Sequence, residues 1–434
     1  MASENSQRNL KSIINFISKL GVDSVSKLIG FITLPIITRA LGPDGYGQFS
    51  YLFVILSYFG FFIDFGYLSY GTNKLCEKTD SKIVIGRIIS LQLLTSVISF
   101  LALIIVSYFF LDPGKYILLV IFSLMFISQI FSIRYFYLAA NKLYYNSISE
   151  LAGQIIYAAL IFAIFVNYPT VLTLIILSLI QSYVTAVFLF LPYIRKNKIE
   201  IDLSIGKNIK TLKDAYKLGI ASKAEAITAS FIILCSGFFL NEVSVGLYNA
   251  SYKIYLILLT IVQGVSYTVM PLLLKNVKKS ESGNFRKISF IFYIYLFFGI
   301  LLSALTFFFS DKIISIMFGD KFSGSVPLLK SFSVTILIWP QVMFMSLVTL
   351  AFNKYNYILI TSVTSSFLSV ILSLILIRNY GIAGAGFVLP FVAAGTIIMN
   401  LHFLNKISLE EKFRLSELFS PLTAINVFRN LFNK

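Results

Sequence analysis

Histidine occurs once and cysteine twice in the 434 residues. Metal centres built from imidazole and thiolate need such residues in clusters at short spacing. Cys76 and Cys235 lie far apart and offer neither ligand spacing nor a disulfide framework, so both read as free thiols. His402, close to the end of the last apolar stretch, reads as a packed or interfacial histidine. Charge is scarce too, at 13% of residues, against about 25% in an ordinary soluble domain. Acid is the scarcer sign, with 19 Asp and Glu against 36 Lys and Arg, for a net charge of +17. Long soluble stretches are lacking, and so is any nucleophile constellation or cofactor motif. What remains is 57% hydrophobic, with 43 Phe, 25 Tyr and a mean hydropathy of +0.85. That composition describes an integral membrane protein.

Twelve stretches approach the roughly 20 apolar residues that a bilayer core requires. They are 12–38, 48–68, 84–111, 115–139, 147–167, 170–194, 217–240, 247–273, 288–310, 326–351, 356–377 and 383–404. The polar start MASENSQRNLK leads directly into a stretch too long for a signal-peptide core, so the first helix is expected to direct its own insertion. Lys and Arg then divide by side. The N-terminus, the alternate loops beginning with 69–83, the adjacent helix ends and the tail hold 25; the opposite loops hold 6; the spans hold 5. Basic loops stay cytoplasmic, which places both termini in the cytoplasm. The excess positive charge is topological and calls for no nucleic-acid partner.

The longest hydrophilic connection, RKNKIEIDLSIGKNIKTLKDAYK at 195–217, carries seven basic residues and has six spans on either side. Short echoes cross it. Lys19-Leu20-Gly21 returns as Lys217-Leu218-Gly219, Gly47 is matched by Gly246, and Asn141-Lys142 by Asn353-Lys354. These echoes predict two copies of a six-helix unit. An even number of spans makes the repeats parallel, related by an axis along the membrane normal. The expected organisation is an N-terminal lobe at 1–194, a cytoplasmic basic linker at 195–216, a second lobe at 217–404 and a cytoplasmic tail at 405–434. Ile407, Leu409, Phe413, Leu418 and Phe419 among charges suggest that the tail lies on the membrane surface.

The glycine-rich stretch ITRALGPDGYGQFSYL at 37–52 lacks the Gly-Lys-Ser/Thr of a phosphate loop and follows no soluble strand. Gly42, Gly45 and Gly47 with Pro43 instead fit a tight turn between the first two spans. Gly381, Gly384 and Gly386 in NYGIAGAGFVLP are in the wrong order for a dinucleotide fingerprint and fit close helix approach at a hairpin. The segment LPIITRALGPDGYGQFSYLFVILSYFGFFIDFGY resembles the opening of the Wzx-type O-antigen flippases, in the polysaccharide branch of the multidrug/oligosaccharidyl-lipid/polysaccharide (MOP) transporter superfamily. YGIAGAGF before the last span, the twelve spans and the basic central loop resemble that family as well. The resemblance implies an all-α protein of two six-helix lobes around a central cavity. It also implies that the protein flips an undecaprenyl-pyrophosphate-linked oligosaccharide across the bacterial inner membrane by alternating access. A polysaccharide polymerase and a chain-length regulator are the partners that go with such a role, and no cofactor is implied.

Within the spans, charge is patterned. Lys19, Asp23 and Lys27 fall four apart, a narrow stripe on one helix face. Lys223 and Glu225 occupy the matching helix of the second half. The eighth span presents Asn249, Lys253, Thr260, Gln263 and Tyr267 at helical spacing, and the second span Ser50, Ser57 and Asp64. An ionisable group exposed to lipid costs at least about 2.5–3.5 kcal/mol, so these groups are expected to face protein or water. Lys27, Lys253, Lys223, Lys19, Asn249 and Gln263 are the candidates for a cavity that holds pyrophosphate or glycan. Asp23 and Glu225 are candidates for ion coupling or for simple counter-ions. For Lys19 and Arg134 snorkelling from a span end is an equal alternative, and Asp64 is more readily interfacial than functional. A cation-coupled multidrug or small-molecule exporter on the same superfamily fold is the rival reading; several deep lysines favour an anionic substrate over it.

Overall fold

The computed structural model describes residues 2–77, 80–197, 211–213, 215, 216, 219, 228, 230–277, 284–411 and 419. Two compact units divide the chain, Met1–Lys223 and Ala224–Lys434. Among the described residues nine helices are long and apolar enough to cross a membrane, and none of the described residues forms a strand. Two of the nine are broken at a glycine, which makes eleven apolar arms; Ser230–Phe239 is a shorter apolar helix.

In the first unit, α1 (Ala2–Ile63) is broken at Gly42, whose φ of 67° and ψ of −179° lie outside the helical region. Such a φ costs a side-chain-bearing residue about 1–2 kcal/mol, and glycine escapes that cost. Pro43 follows, where its fixed φ suits a restarting helix and its missing N–H is no loss. The glycine-proline turn expected from the sequence is therefore present. The second arm runs further than the expected 48–68. It breaks at Asp64–Gly66 and resumes as α2 (Tyr67–Cys76), with Gly66 at φ 87°. The cause is a close backbone contact. A Cβ on Gly66 would sit 2.2 Å from the Ala215 carbonyl oxygen and 2.7 Å from the Gly219 nitrogen.

That contact involves the end of the stretch expected as a cytoplasmic linker, 195–216. Residues 211–213, 215, 216 and 219 are helical, and Thr211 and Ala215 are buried in the first unit. Thr211, Ala215 and Gly219 are spaced four apart, so one narrow face of small residues lies against α2. Tyr70 Oη and Thr211 Oγ1 share a hydrogen bond of 3.3 Å, and the rings of Phe65 and Tyr216 stack at 4.9 Å. Residues 198–210 lie outside the described residues.

The remaining elements of this unit are α3 (Ser81–Phe110), α4 (Pro113–Phe122), α5 (Met125–Ile130), α6 (Arg134–Ala139), α7 (Leu143–Leu160) and α8 (Val171–Ile194). The stretch 115–139 was expected as one helix and is three, interrupted at Ser123–Leu124 and Phe131–Ile133. α7 packs between α1 and α8, and α3 packs on α1. Leu52, Leu56, Leu103, Phe122 and Ile175 form one core; Tyr67, Ile85, Ile88, Tyr135 and Tyr193 form another. Large apolar side chains such as Leu94, Ile98, Ile105 and Phe109 stay exposed along α3, as a lipid-facing helix requires.

The second unit contains α9 (Ser230–Phe239), α10 (Glu242–Val277), α11 (Asn284–Phe318), α12 (Ser325–Ala351) and α13 (Tyr355–Glu410). α13 bends at Gly381, with φ 60° and ψ −139°. Three residues on, a Cβ at Gly384 would lie 2.0 Å from the Leu376 carbonyl oxygen, so the two arms of α13 touch backbone to backbone. This is the close approach expected of that glycine cluster. Further along, a row of small polar residues four apart, Thr361, Ser365, Ser369 and Ser373, is buried. Ser365 and Thr396 share a bond of 2.8 Å across the arms, and Ser369 donates to the Thr228 carbonyl at 2.7 Å. Bonds of this kind between helices in lipid are worth about 0.6 kcal/mol on average; here they come as a set. α13 continues to Glu410, with Ile407 fully buried. Residues 412–418, including Phe413 and Leu418, lie outside the described residues. Phe419 packs on Phe292, and Tyr293 Oη donates to its carbonyl at 2.8 Å.

Candidate functional site

Lys27 stands on the first arm of α1, fifteen residues before the Gly42 turn. At 1.5 Å per residue that is about 22 Å, well inside a hydrocarbon core about 30 Å thick. Lys253 stands eleven residues into α10, about 16 Å from its start, near the middle of the apolar span Glu242–Ser266. Both side chains are exposed, and neither has an ion-pair partner among the described residues. A bare ammonium against hydrocarbon is too costly to be the resting arrangement. Each lysine is therefore a candidate for a hydrated surface of its own unit.

Around Lys253, Thr260 lies seven residues on, on the same face of α10, and its hydroxyl donates to the Leu256 carbonyl at 3.0 Å. Gln263 is exposed and some 15 Å further along the axis, towards the other end of the helix. Asn249 is 7% exposed and belongs to the buried packing of the second unit, not to the exposed face with Lys253. Ser50 is likewise buried, donating to the Tyr46 carbonyl at 2.7 Å, and Ser57 donates to the Phe53 carbonyl at 2.7 Å. The backbone at Lys19 and Asp23 is helical, while their side chains lie outside the described residues, as does that of Tyr267. Lys223 and Glu225 lie outside them entirely.

The surface basic residues behave differently. Arg134 pairs with Glu150 at 2.9 Å, both partly exposed, which gives this arginine a local partner at a helix start. Lys354 donates to Glu410 at 2.6 Å, closing the two ends of α13 beyond the apolar stretches 356–377 and 383–404. The hydrogen bond to Glu410 holds the Lys354 ammonium above its ordinary pKa, and the same bond holds the Glu410 carboxyl below its own. Both side chains are partly exposed, so this is a surface clasp of modest worth. No cluster of three metal-ligating side chains occurs among the described residues.

One polar feature went unread in the sequence. Gln154 on α7 and Gln181 on α8 are hydrogen-bonded side chain to side chain at 2.7 Å, and Gly30 of α1 lies against them. Isolated glutamines in separate apolar stretches carry no periodic signal; only the packing of α7 between α1 and α8 brings them together.

Comparison with known proteins places this geometry. The profile of the family described as polysaccharide biosynthesis protein matches residues 12–277, more than half of the chain. The "Probable low-salt glycan biosynthesis flippase Agl15" of Haloferax volcanii is 26% identical over 49% of this chain and 45% of its own length. The "Putative O-antigen transporter" of Escherichia coli K12 is 21% identical over 58% of this chain and 62% of its own. The matched segments thus span about half to three-fifths of these relatives. Among solved structures, that of the lipid II flippase MurJ in an inward closed conformation superposes with a TM-score of 0.73 at 16% identity, over 97% of this chain and 92% of that one. An inward-facing multidrug resistance MATE family transporter of the MOP superfamily superposes at 0.67 and 14% identity, over 90% and 98%. The chain is a multi-pass membrane protein with the all-helical fold of the MOP transporters, and it belongs to the polysaccharide biosynthesis protein family.

Proposed function

We propose that the chain is a flippase, moving an undecaprenyl-pyrophosphate-linked oligosaccharide from the cytoplasmic to the outer leaflet of a bacterial inner membrane by alternating access. The observation that carries this reading is a pair of exposed lysines deep within apolar helices, Lys27 in the first unit and Lys253 in the second, neither with an ion-pair partner among the described residues. The substrate has an anionic pyrophosphate and a polar glycan that cannot cross hydrocarbon, and a prenyl tail that can stay there. A cationic, hydrated surface on membrane helices suits the first two parts. Export of organic cations would call for acidic groups in those places. The names of the matched relatives, a glycan biosynthesis flippase and an O-antigen transporter, support the same class of cargo.

Both termini are read as cytoplasmic from the distribution of Lys and Arg. A polymerase and a chain-length regulator would take the translocated repeat units on the far side. Deletion of the gene tests the reading: lipid-linked repeat units should still be made and should accumulate on the cytoplasmic leaflet. Loss of their synthesis, with translocation unaffected, contradicts it.

A further inference from the structure

The Gln154–Gln181 pair has chemistry to spare. A glutamine amide offers two N–H donors and a carbonyl oxygen with two lone pairs. Gln181 Nε2 donates to Gln154 Oε1 at 2.7 Å, and neither side chain makes another hydrogen bond among the described residues. The Gln154 amino group and the Gln181 carbonyl are left over, side by side. Exchanging the orientation of both amides reverses which residue supplies which group and leaves the same donor–acceptor doublet. Both residues are half-buried, neither sealed in the core nor fully exposed. Facing lipid, those groups would be as unwelcome as any unmet polar group in hydrocarbon.

The backbone around the pair lets it form. At Gly153 a Cβ would come 2.3 Å from Thr185 Oγ1 and 3.0 Å from the Gln181 carbonyl oxygen, so only glycine lets α7 and α8 close up enough for the amides to meet. At Gly30 a Cβ would lie 3.2 Å from Gln154 Nε2, so that nitrogen lies close to α1 and a side chain there would crowd it. Lys27 sits three residues before Gly30 on the same face of α1, about 4.5 Å along the axis. A cation and a donor–acceptor doublet thus stand about one helical turn apart in a single unit.

We propose that Gln154 and Gln181 form a sugar-recognition subsite for the ring joined directly to the pyrophosphate. An adjacent hydroxyl pair or an acetamido group on that ring presents an acceptor and a donor in the reciprocal order, while Lys27 takes the phosphate. This rests on the flippase reading and goes beyond it by assigning the glycan contact. The first unit then reads the identity of the first sugar through neutral amides, and the charge is read separately.

The test uses the full-length protein in lipid nanodiscs and three probes: undecaprenyl pyrophosphate, and the same lipid bearing N-acetylglucosamine or galactose. Wild type should bind at least one sugar-bearing lipid about tenfold more tightly than the bare pyrophosphate, as expected for two neutral hydrogen bonds. Gln154→Met/Gln181→Met should abolish that preference while leaving affinity for the bare lipid unchanged. Gly30→Ala, which keeps both amides, should weaken the preference in the same direction and covers the case in which the double variant does not fold. Lys27→Ala should lower affinity for all three probes. Equal binding of the three lipids by wild type overturns the subsite, and so does a retained preference in folded Gln154→Met/Gln181→Met and Gly30→Ala. If wild type binds none of the probes, the flippase reading itself fails and the subsite with it.

Discussion

Asn141 and Asn353 turn the chain in the same way. They are the two residues other than glycine with positive φ among the described residues, at 54° and 59°. Each ends a helix whose last residue is an alanine, Ala139 and Ala351. Each donates its N–H three residues back, to Leu138 at 3.1 Å and Leu350 at 2.9 Å. The lysine that follows donates five residues back, to Tyr137 at 2.8 Å and Thr349 at 3.2 Å. That is the Schellman pattern, with asparagine in the left-handed position where glycine is usual. The two Asn-Lys echoes in the sequence are therefore one corner built twice, once in each unit.

Replacing either asparagine with alanine should cost about 1 kcal/mol, since alanine lacks the local bonding that makes the left-handed region tolerable. Glycine should be tolerated at both positions. Melting midpoints in detergent for Asn141→Ala, Asn353→Ala and the matching glycine variants check this. Alanine variants that melt with wild type would show that the corners are not held by residue conformation.

Much of this architecture was legible before any coordinates. Length and hydropathy located the spans, and Gly42 and Gly381 announced their turns, because a positive φ leaves a residue-type mark. The break at Gly66 did not announce itself: its cause is the Ala215 and Gly219 backbone, some 150 residues away in the chain. The helical residues from Thr211 on were hidden for a related reason, since a face of Thr, Ala and Gly scores as hydrophilic beside seven basic neighbours. Lys27 and Lys253 could be picked out as charges in apolar runs. Asn249 shared their periodicity and proved buried; spacing alone does not say which side of a helix is packed. Gln154 and Gln181 needed three helices to be brought together before they meant anything.

Gly66 and Gly219 should be intolerant of even a methyl group. A Cβ on Gly219 would lie 2.9 Å from the Gly66 nitrogen, and the reverse substitution meets the Ala215 carbonyl at 2.2 Å. All the opposing atoms are backbone, so relief requires the helices to part. Gly66→Ala should reduce folded protein several-fold in membrane extracts, by size-exclusion profile, whereas Gly114→Ala, with nothing within 4 Å, should behave as wild type. A normal profile for Gly66→Ala would refute the contact.

Thiol chemistry reports the orientation. Cys76 is exposed at the end of α2, and Cys235 is buried in α9. A membrane-impermeant maleimide should leave both unlabelled in intact cells and should label Cys76 alone in inverted vesicles. A cysteine placed at Ser204 in a Cys76→Ser/Cys235→Ser background should follow Cys76. Labelling of either position from outside intact cells would reverse the assigned topology.

The clasp between Lys354 and Glu410 sets a pH dependence. Glu410 is held below its ordinary pKa, so its contribution is present above the unfolded carboxylate value and fades as pH falls through the lowered one. Lys354 is held above its ordinary pKa, so its contribution is complete below the unfolded amine value and fades as pH rises through the raised one. The difference in melting midpoint between wild type and Glu410→Gln should therefore be small, level through neutral pH, and smaller in acid. A difference that grows on acidification would contradict the pairing.

Passage of a pyrophosphate-linked glycan along Lys27 and Lys253 is tested most directly in proteoliposomes, by following the transfer of an undecaprenyl-pyrophosphate-linked oligosaccharide between leaflets. Wild type should move it well above the rate of protein-free vesicles. Lys27→Ala and Lys253→Ala should each slow transfer about ten- to a hundredfold, the scale of one lost hydrogen bond to a charged group. Glutamate at either position should be worse, and arginine should retain part of the rate because it keeps the charge and changes the reach. If Lys27 only neutralises Asp23, then Asp23→Ala/Lys27→Ala should recover what Lys27→Ala loses; the anion-binding role predicts no recovery. Transfer at the wild-type rate by Lys27→Glu and Lys253→Glu, at equal protein content, would contradict the proposed function.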